Sequence, residues 1–455
     1  MEPLSQAMIL DSTRSVCPVC FRKIPASIVE NNGRVFIQKL CPSHGSFESL
    51  YWDDVEHYKW CKKFQKPRVP KDTQTTVQDG CPFDCGLCPS HEQHTCLAVV
   101  EVTGRCNLFC NYCFASSPFT GQDVDFEIIK TMFETIEESE GEPRPIQLSG
   151  GEPTVRKDLP QIVEAGVDFG FSHIEVNTNG VLLAKEENMV KRLKDAGLSC
   201  FYLQFDGLTS DVFEKLRGVD LLNLKLRAIE NCRENGVPVI LVPTIVKGVN
   251  DHQLGDIIRF AVKNLDVVRG ISIQPVSHFG RYVRGEHLSL AGVAKRISDQ
   301  TGFMSMYDFY PIPCPGIHCS SATMLIVSGN EVFPVTRMID VETYLNGVYD
   351  KIKGATFVDM LVDAGRGVDM AEEIVCSCGI QISGAIRKVL ENSLFITIMG
   401  FMDAFTLDLN RLSKCCIHVA TPDQRLIPFC AYNLTNTQGE YLYREKSRPE
   451  KVYRN

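Results

Sequence analysis

The sequence predicts an α/β fold: an open, partial (β/α)6 barrel, preceded by a small metal-binding domain and followed by a cysteine-rich α+β region. Three observations predict it. Between residues 97 and 276, short β-branched apolar runs alternate with longer segments of helical pattern. Twenty cysteines fall into closely spaced groups. A polar, proline-containing stretch, "PRVPKDTQTTVQD" (67–79), separates the first group from the rest. The expected domains are 1–66 (zinc-ribbon or rubredoxin-like), 67–96 (linker and cysteine-rich segment), 97–285 (barrel) and 286–455 (C-terminal region).

At 455 residues, 44% hydrophobic and 23% charged, the composition is that of an ordinary globular protein. A net charge of −9 argues against a broad nucleic-acid surface. No apolar run reaches the length of a membrane span, and "MEPLSQAMIL" lacks the layout of a signal peptide. A cytoplasmic protein is therefore expected. In a reducing compartment, clustered thiols bind metal more often than they form disulfides.

The first unit carries Cys17 and Cys20 in "VCPVC", and Cys41 and His44 in "CPSHG". Two knuckles flanking a hairpin-like stretch make a metal ribbon, which fits one structural zinc or one rubredoxin-like iron. Cys61 is a rival for the fourth ligand.

The barrel strands are expected at 97–103, 145–149, 173–178, 200–205, 237–245 and 270–276. Helices are expected near 125–138, 157–169, 184–196, 221–235 and 251–264. This alternation implies parallel strands joined by right-handed crossovers. Roughly 180 residues is short for eight units, hence six. In such barrels chemistry collects at the C-terminal ends of the strands. Beyond 286 the sequence offers Cys314, Cys319, Cys376, Cys378, Cys415, Cys416 and Cys430. The apolar stretch 394–407, "LFITIMGFMDAFTL", reads as buried core or as the lining of a channel for a greasy substrate.

One spacing, C-x3-C-x2-C, occurs twice: Cys81, Cys85, Cys88 and Cys106, Cys110, Cys113. By chance it should arise roughly 0.04 times in such a chain. A [4Fe–4S] cube normally takes four thiolates, so three leave one iron open to a substrate or cofactor. The first triangle has Cys96 nearby as a fourth ligand, while after the second the next cysteine is Cys200. The first copy therefore reads as saturated, the second as open.

The second triangle, following the first barrel strand, resembles the signature of the radical S-adenosylmethionine (SAM) enzymes. Further motifs over 97–280 are similar to theirs: Tyr112 before the third cysteine, Gly150, Gly151 and Glu152 in "SGGEPT", and Asn177 and Asn179 in "NTNG". Gln204, Asp206, Val246, Gln274 and Val276 fall where family members touch the cofactor. The resemblance implies a [4Fe–4S] cluster on Cys106, Cys110 and Cys113 that binds SAM. It also implies reductive cleavage to a 5′-deoxyadenosyl radical and an electron donor such as ferredoxin or flavodoxin. Adjacent glycines would let the backbone approach the methionine moiety, and Glu152 would face its ammonium.

The whole-chain pattern, including "GCPFDCGLCPSHEQHTC", "CCIH" and "IPFCAYN", resembles the archaeal tetraether lipid synthase family and its bacterial relatives. That resemblance implies C–C coupling of lipid tails and peripheral contact with a membrane. It implies one auxiliary [4Fe–4S] cluster on Cys81, Cys85, Cys88 and Cys96, and a second on Cys314, Cys319, Cys416 and Cys430, with Cys415 the rival of Cys416. Two alternatives stand beside it: a radical SAM methylase acting on a pterin-like small molecule, and a non-catalytic electron-transfer protein. A lipid synthase needs a long apolar tunnel, a methylase a compact polar pocket.

Overall fold

The computed structural model describes residues 8–64, 72–141, 143–171, 173–312, 315–338, 341, 374–375, 381–382 and 392–444. Strands β1 (Met8–Val16), β2 (Lys23–Asn31), β3 (Arg34–Cys41) and β4 (Gly45–Trp52) form an antiparallel sheet in chain order. Asn32 and Gly33, both at positive φ, make the β2–β3 turn, a pairing that matches the twist of a hairpin. Helix α1 (Val55–Cys61) follows, its N-terminus capped by the Asp54 carboxylate, which accepts from the His57 N–H.

The barrel strands are β5 (Leu97–Thr103), β6 (Ile146–Gly150), β7 (Ile174–Thr178), β8 (Cys200–Gln204), β9 (Val239–Val242), β10 (Thr244–Ile245) and β11 (Val268–Pro275). Each of the main strands pairs in parallel with the next, from β5 to β9 and on to β11. The fifth expected strand is broken into β9 and β10 at Pro243, which has no N–H to give a ladder.

The helices are α2 (Phe126–Glu140), α3 (Leu159–Asp168), α4 (Val181–Lys185), α5 (Met189–Asp195), α6 (Ser210–Arg217), α7 (Leu222–Asn235), α8 (Leu254–Lys263) and α9 (Leu290–Thr301). Helix α2 buries Ile129, Met132, Phe133 and Ile136, a stripe at helical spacing. Each such side chain contributes roughly 1.5–3 kcal/mol. The single helix expected at 184–196 is two, separated where Asn188 adopts φ 65°. Helix α6, which no sequence expectation included, lies between β8 and α7.

The C-terminal region does not stand apart. Its strands are β12 (Tyr310–Pro311), β13 (Ser320–Ser328), β14 (Glu331–Pro334), β15 (Ile374–Val375), β16 (Gln381–Ile382), β17 (Ser393–Met399), β18 (Ile417–Thr421) and β19 (Arg425–Pro428). Strand β17 adds in parallel to β11, and β18 adds in parallel to β5. The barrel sheet thus crosses the boundary expected at 285 and is extended at both edges. Residues 394–407 supply β17 and a loop, with Leu394, Ile396, Ile398, Met402 and Leu407 buried. They are largely core, and Gly400, Phe401, Met402 and Thr406 also line a cleft at the ends of β11 and β17.

The ribbon docks on this same loop. Ser15 Oγ donates to Leu407 O (2.6 Å), Lys39 Nζ to Ala404 O (2.7 Å) and Tyr51 Oη to Asp408 Oδ2 (2.9 Å). Among the described residues no helix is long and apolar enough to cross a membrane.

Candidate active site and metal centres

The ribbon knuckles converge as expected. The ligand atoms of Cys17, Cys20, Cys41 and His44 all lie within 4.8 Å of one another. His44 Nδ1 is 3.5 Å from both Cys17 Sγ and Cys41 Sγ. Burial raises the Cys41 thiol, but N–H groups of the knuckle and the His44 ring outweigh it and bring Cys41 down to about 6. Three sulfurs and one imidazole fit a mononuclear zinc or iron. Cys61 is not part of it: it is buried on α1, with its Sγ 3.6 Å from His57 Nδ1.

The second triangle lies on the loop after β5, and four contacts fix that loop. Arg281 and Cys113 exchange backbone hydrogen bonds (2.8 and 3.0 Å), and the Arg281 guanidinium lies 3.4 Å over the Phe109 ring. Asn111 N donates to Leu216 O (3.1 Å). Arg105 clasps Asp123 with two bonds of 2.8 and 2.7 Å. Cys106, Cys110 and Cys113 are half-exposed and feel one another's charge. Burial pushes Cys106 up to about 12, with the Glu152 carboxylate adding to the rise. Burial also raises Cys110, and the Arg217 guanidinium opposes it. Cys200 and Cys232 are buried elsewhere, Cys200 at the start of β8 near Glu175 and Cys232 on α7.

Around this loop the structure gathers the expected motif residues but changes several roles. A Cβ on Gly150 would meet Thr103 O at 2.2 Å, and one on Gly151 would meet Arg105 O at 2.1 Å. Close contact with Thr103 and the cysteine loop by itself requires both glycines. Glu152 is buried, and its carboxylate accepts from Thr154 N and Oγ1, Thr178 Oγ1 and Asn179 N. It ties β6 to β7 instead of standing open to an ammonium. Asp206 is fully buried and accepts from Arg217 Nε (2.6 Å), Arg217 Nη2 (2.7 Å), Thr244 N (3.0 Å) and the Gln204 amide. These partners occupy both its oxygens, so it is an internal support and not a cofactor contact.

Tyr112, Val246 and Val276 pack into one apolar patch with Val212 and Leu216. Asn177 and Gln274 stand half-buried at the C-terminal ends of β7 and β11, and Asn179 follows β7. Asn179 Nδ2 donates to Asn107 Oδ1 (2.7 Å), joining the third motif to the cysteine loop.

Two residues escaped the sequence reading. Arg217 ends α6 and donates to Asp206, Thr244 Oγ1 and Tyr112 O. Its signal was the short amphipathic "SDVFEKLRG", with a serine start and a glycine stop. Lys225 is fully buried in the apolar stripe of α7 (225, 228, 229, 232), where a hydrophobic residue belongs. Its amine donates to Asn179 O (2.5 Å) and Gln204 Oε1 (2.6 Å), and burial lowers it to about 7.

In the first triangle Cys85 and Cys88 are buried and Cys81 is half-exposed. Cys81, Cys85 and Cys88 line one cavity with Leu87, His91, Leu412 and Pro428. Tyr443 Oη accepts from Cys85 N (3.0 Å) and donates to Pro82 O (2.8 Å). Three thiols facing one cavity fit a cluster. Cys96 does not line this cavity, contrary to expectation. Its N–H is held by Cys416 O (2.8 Å) where the chain enters β5, and its Sγ lies 3.8 Å from His94 Nε2.

In the C-terminal region Cys319, Cys415 and Cys430 act on one another electrostatically. Arg411 Nη2 donates to Cys319 Sγ (3.5 Å), and Met402 N to Cys430 Sγ (3.3 Å). Cys415 stands within electrostatic reach of this pair, while the carbonyl of its neighbour Cys416 accepts from Cys96 N and Leu97 N at the β18–β5 junction. Cys314, Cys376 and Cys378 lie outside the described residues.

Residues 100–261 match the model of the radical SAM superfamily, and residues 9–53 match the HMPTM N-terminal zinc ribbon domain. The chain is 40% identical to the 7,8-dihydro-6-hydroxymethylpterin dimethyltransferase of Methanocaldococcus jannaschii, over 94% of each chain. It is 33% identical to the GTP 3′,8-cyclase of Nautilia profundicola, over 38% of this chain and 54% of that protein. SuiB of Streptococcus suis, solved with S-adenosylmethionine, aligns with a TM-score of 0.40 at 17% identity, over 47% of this chain and 48% of that one. The full-length similarity favours the methylase alternative over the lipid synthase expectation. A cysteine triangle on the first loop of a parallel β/α sheet, a zinc ribbon before it and 40% identity along the whole chain lead to one conclusion: the protein belongs to the radical SAM superfamily, whose cofactors are a [4Fe–4S] cluster and SAM.

Proposed function

We propose that this radical SAM enzyme is a C-methyltransferase acting on a reduced pterin-like heterocycle. The observation that carries the proposal is the identity of 40% over 94% of both chains with a protein named for dimethylating such a pterin. A cleft at the ends of β11 and β17 supports it. Its walls include His287, Phe401 and Thr406, an aromatic ring beside polar groups of the kind a flat polar ring takes.

When bound, the cluster and SAM supply a one-electron route to a carbon-centred radical that takes hydrogen from substrate carbon. In this reading Cys106, Cys110 and Cys113 hold the cluster, and Arg217 offsets thiolate charge beside Cys110. Tyr112, Val246 and Val276 form an apolar bed for the adenine, while Asn177 and Gln274 present amides to polar groups of the nucleoside. Asn179, Gln204 and Lys225 form a brace beneath that bed. Auxiliary clusters fall to Cys81, Cys85 and Cys88, and to Cys319, Cys415 and Cys430. A ferredoxin- or flavodoxin-class protein delivers the electron.

The test is anaerobic reconstitution with SAM, reductant and a 7,8-dihydropterin, followed by mass spectrometry. Gain of one or two methyl groups on the pterin is expected, each from a second SAM that leaves as S-adenosylhomocysteine, while the first yields 5′-deoxyadenosine and methionine. Formation of 5′-deoxyadenosine with an isoprenoid lipid, and none with the pterin, would defeat the reading.

A further inference from the structure

Beyond the cysteine sites, His278, His287 and Asp403 meet at the C-terminal end of the sheet. His278 and His287 lie on the segment after β11, and Asp403 on the loop after β17. One ligand atom from each falls within 4.8 Å of the others. We propose that these three residues bind a mononuclear divalent metal of the zinc class, separate from the ribbon site and from every cysteine cluster.

The unusual member is His278. Its side chain is 2% exposed, yet neither Nδ1 nor Nε2 has a hydrogen-bond partner. A buried polar group left unpaired costs about 1–3 kcal/mol. Its ring is held in place by stacking on Tyr282, with centroids 4.7 Å apart and an interplanar angle of 17°. The ring lies 4.5 Å, centroid to centroid, from that of His287.

Asp403 is prepared on the other side. Its Oδ1 accepts from Phe405 N, Thr406 N and Thr406 Oγ1, which fixes the carboxylate. Its Oδ2 accepts from His278 N (2.8 Å) and points at His287 Nε2 (2.7 Å). His278 Nδ1 is 3.7 Å from that same Oδ2. Bonds of 2.0–2.1 Å in a tetrahedron set ligand atoms roughly 3.3 Å apart, a value between these two distances. A metal would replace the proton between His287 and Asp403 and give His278 its missing partner.

Two neutral imidazoles and one carboxylate are a donor set for zinc or ferrous iron, with one or more coordination positions open. His287 also lines the cleft walled by Ser277, Leu288 and Thr406, so the site borders that cleft. The nearby cations do not forbid it. Lys39 is buried, and its Nζ is engaged by Ser15 Oγ, Val16 O and Ala404 O. Arg284 lies over the Phe405 ring (5.3 Å).

The competing description is a hydrogen-bonded His287–Asp403 pair with no metal. Full-length protein with its clusters loaded should be equilibrated with zinc chloride, freed of excess and analysed for metals. About two zinc ions per chain are expected beyond cluster iron, falling to about one in His278→Ala and in His287→Gln with iron unchanged. A Cys17→Ser/Cys41→Ser variant, which removes the ribbon site and leaves the histidines intact, should keep about one zinc. Its X-ray absorption should show nitrogen and oxygen neighbours near ~2.0 Å and no sulfur. The proposal is overturned if that variant retains no zinc, if sulfur appears in its first shell, or if zinc content is the same in wild type and both histidine variants.

Discussion

In the first cysteine triangle Cys85 and Cys88 are buried, and the loop folds inward around a cavity closed by Leu412 and Pro428 from the far end of the chain. In the second all three thiols are half-exposed, and the loop is ringed by charge: Arg105–Asp123, Arg281, and Arg217 with Asp206. The spacing is the same, yet the surroundings differ: two thiols are buried in the first and none in the second. A C-x3-C-x2-C spacing sets the thiol geometry. What packs against it decides whether the metal is sealed in or left within reach of a small molecule. The second loop also owes its shape to residues far away in sequence: Gly150, Gly151, Leu216 and Arg281 all touch it through main-chain atoms.

The sharpest way to break this comparison is to exchange the roles of the two triangles. Cys106→Ala should abolish 5′-deoxyadenosine formation, a loss of at least ~10⁴-fold. Cys85→Ala should lower iron content while SAM binding persists. Reversed results would mean that the triangles have been assigned the wrong way round.

The charged ring gives the next largest effect. Arg217→Ala leaves Asp206 as an unpaired buried carboxylate and should cost about 3–5 kcal/mol, read by denaturant unfolding of the reconstituted protein. Loss of less than ~1 kcal/mol would show that the pair is solvated and the ring incidental. Gly151→Ala drives a methyl into the Arg105 carbonyl and should cost about 1–3 kcal/mol, together with weakened SAM binding. The same change at Gly285, where nothing lies within 4 Å, should be close to neutral.

At the first triangle, Cys96→Ala should remove less iron than Cys85→Ala, because Cys96 faces His94 and not the cavity. Equal losses would restore it as a fourth ligand.

The last effect is a pH slope, small at any single pH near neutrality. Burial places folded Lys225 near 7, below its ordinary 10.5, so the unfolded chain binds more protons between those values. Lys225 therefore makes stability rise with pH across that window, by up to about 1.4 kcal/mol per unit. Lys225→Met should flatten the rise.

The parallel barrel strands were readable because β-branched runs and amphipathic helices alternate with little interruption, and the cysteine loops because thiol spacing is rarely accidental. The edges of the sheet were not readable. Strands β17 and β18 carry no local mark of which strand they join, since parallel pairing is decided by distant partners. Fourth ligands were hidden for the same reason. Cys415 and Cys416 are adjacent, and spacing alone does not say which thiol faces Cys430. Glu152 and Asp206 were placed correctly at strand ends, but the sequence cannot show that neighbouring N–H and guanidinium groups already occupy them.

Because β17 and β18 flank β11 and β5, the central sheet keeps two bare hydrogen-bonding margins until the last tenth or so of the chain has left the ribosome. A nascent chain halted near residue 300 would hold every SAM motif and still present open strands to its neighbours. Aggregation of such truncated products, and a burst of solubility once residues 393–421 are made, is the behaviour this topology demands.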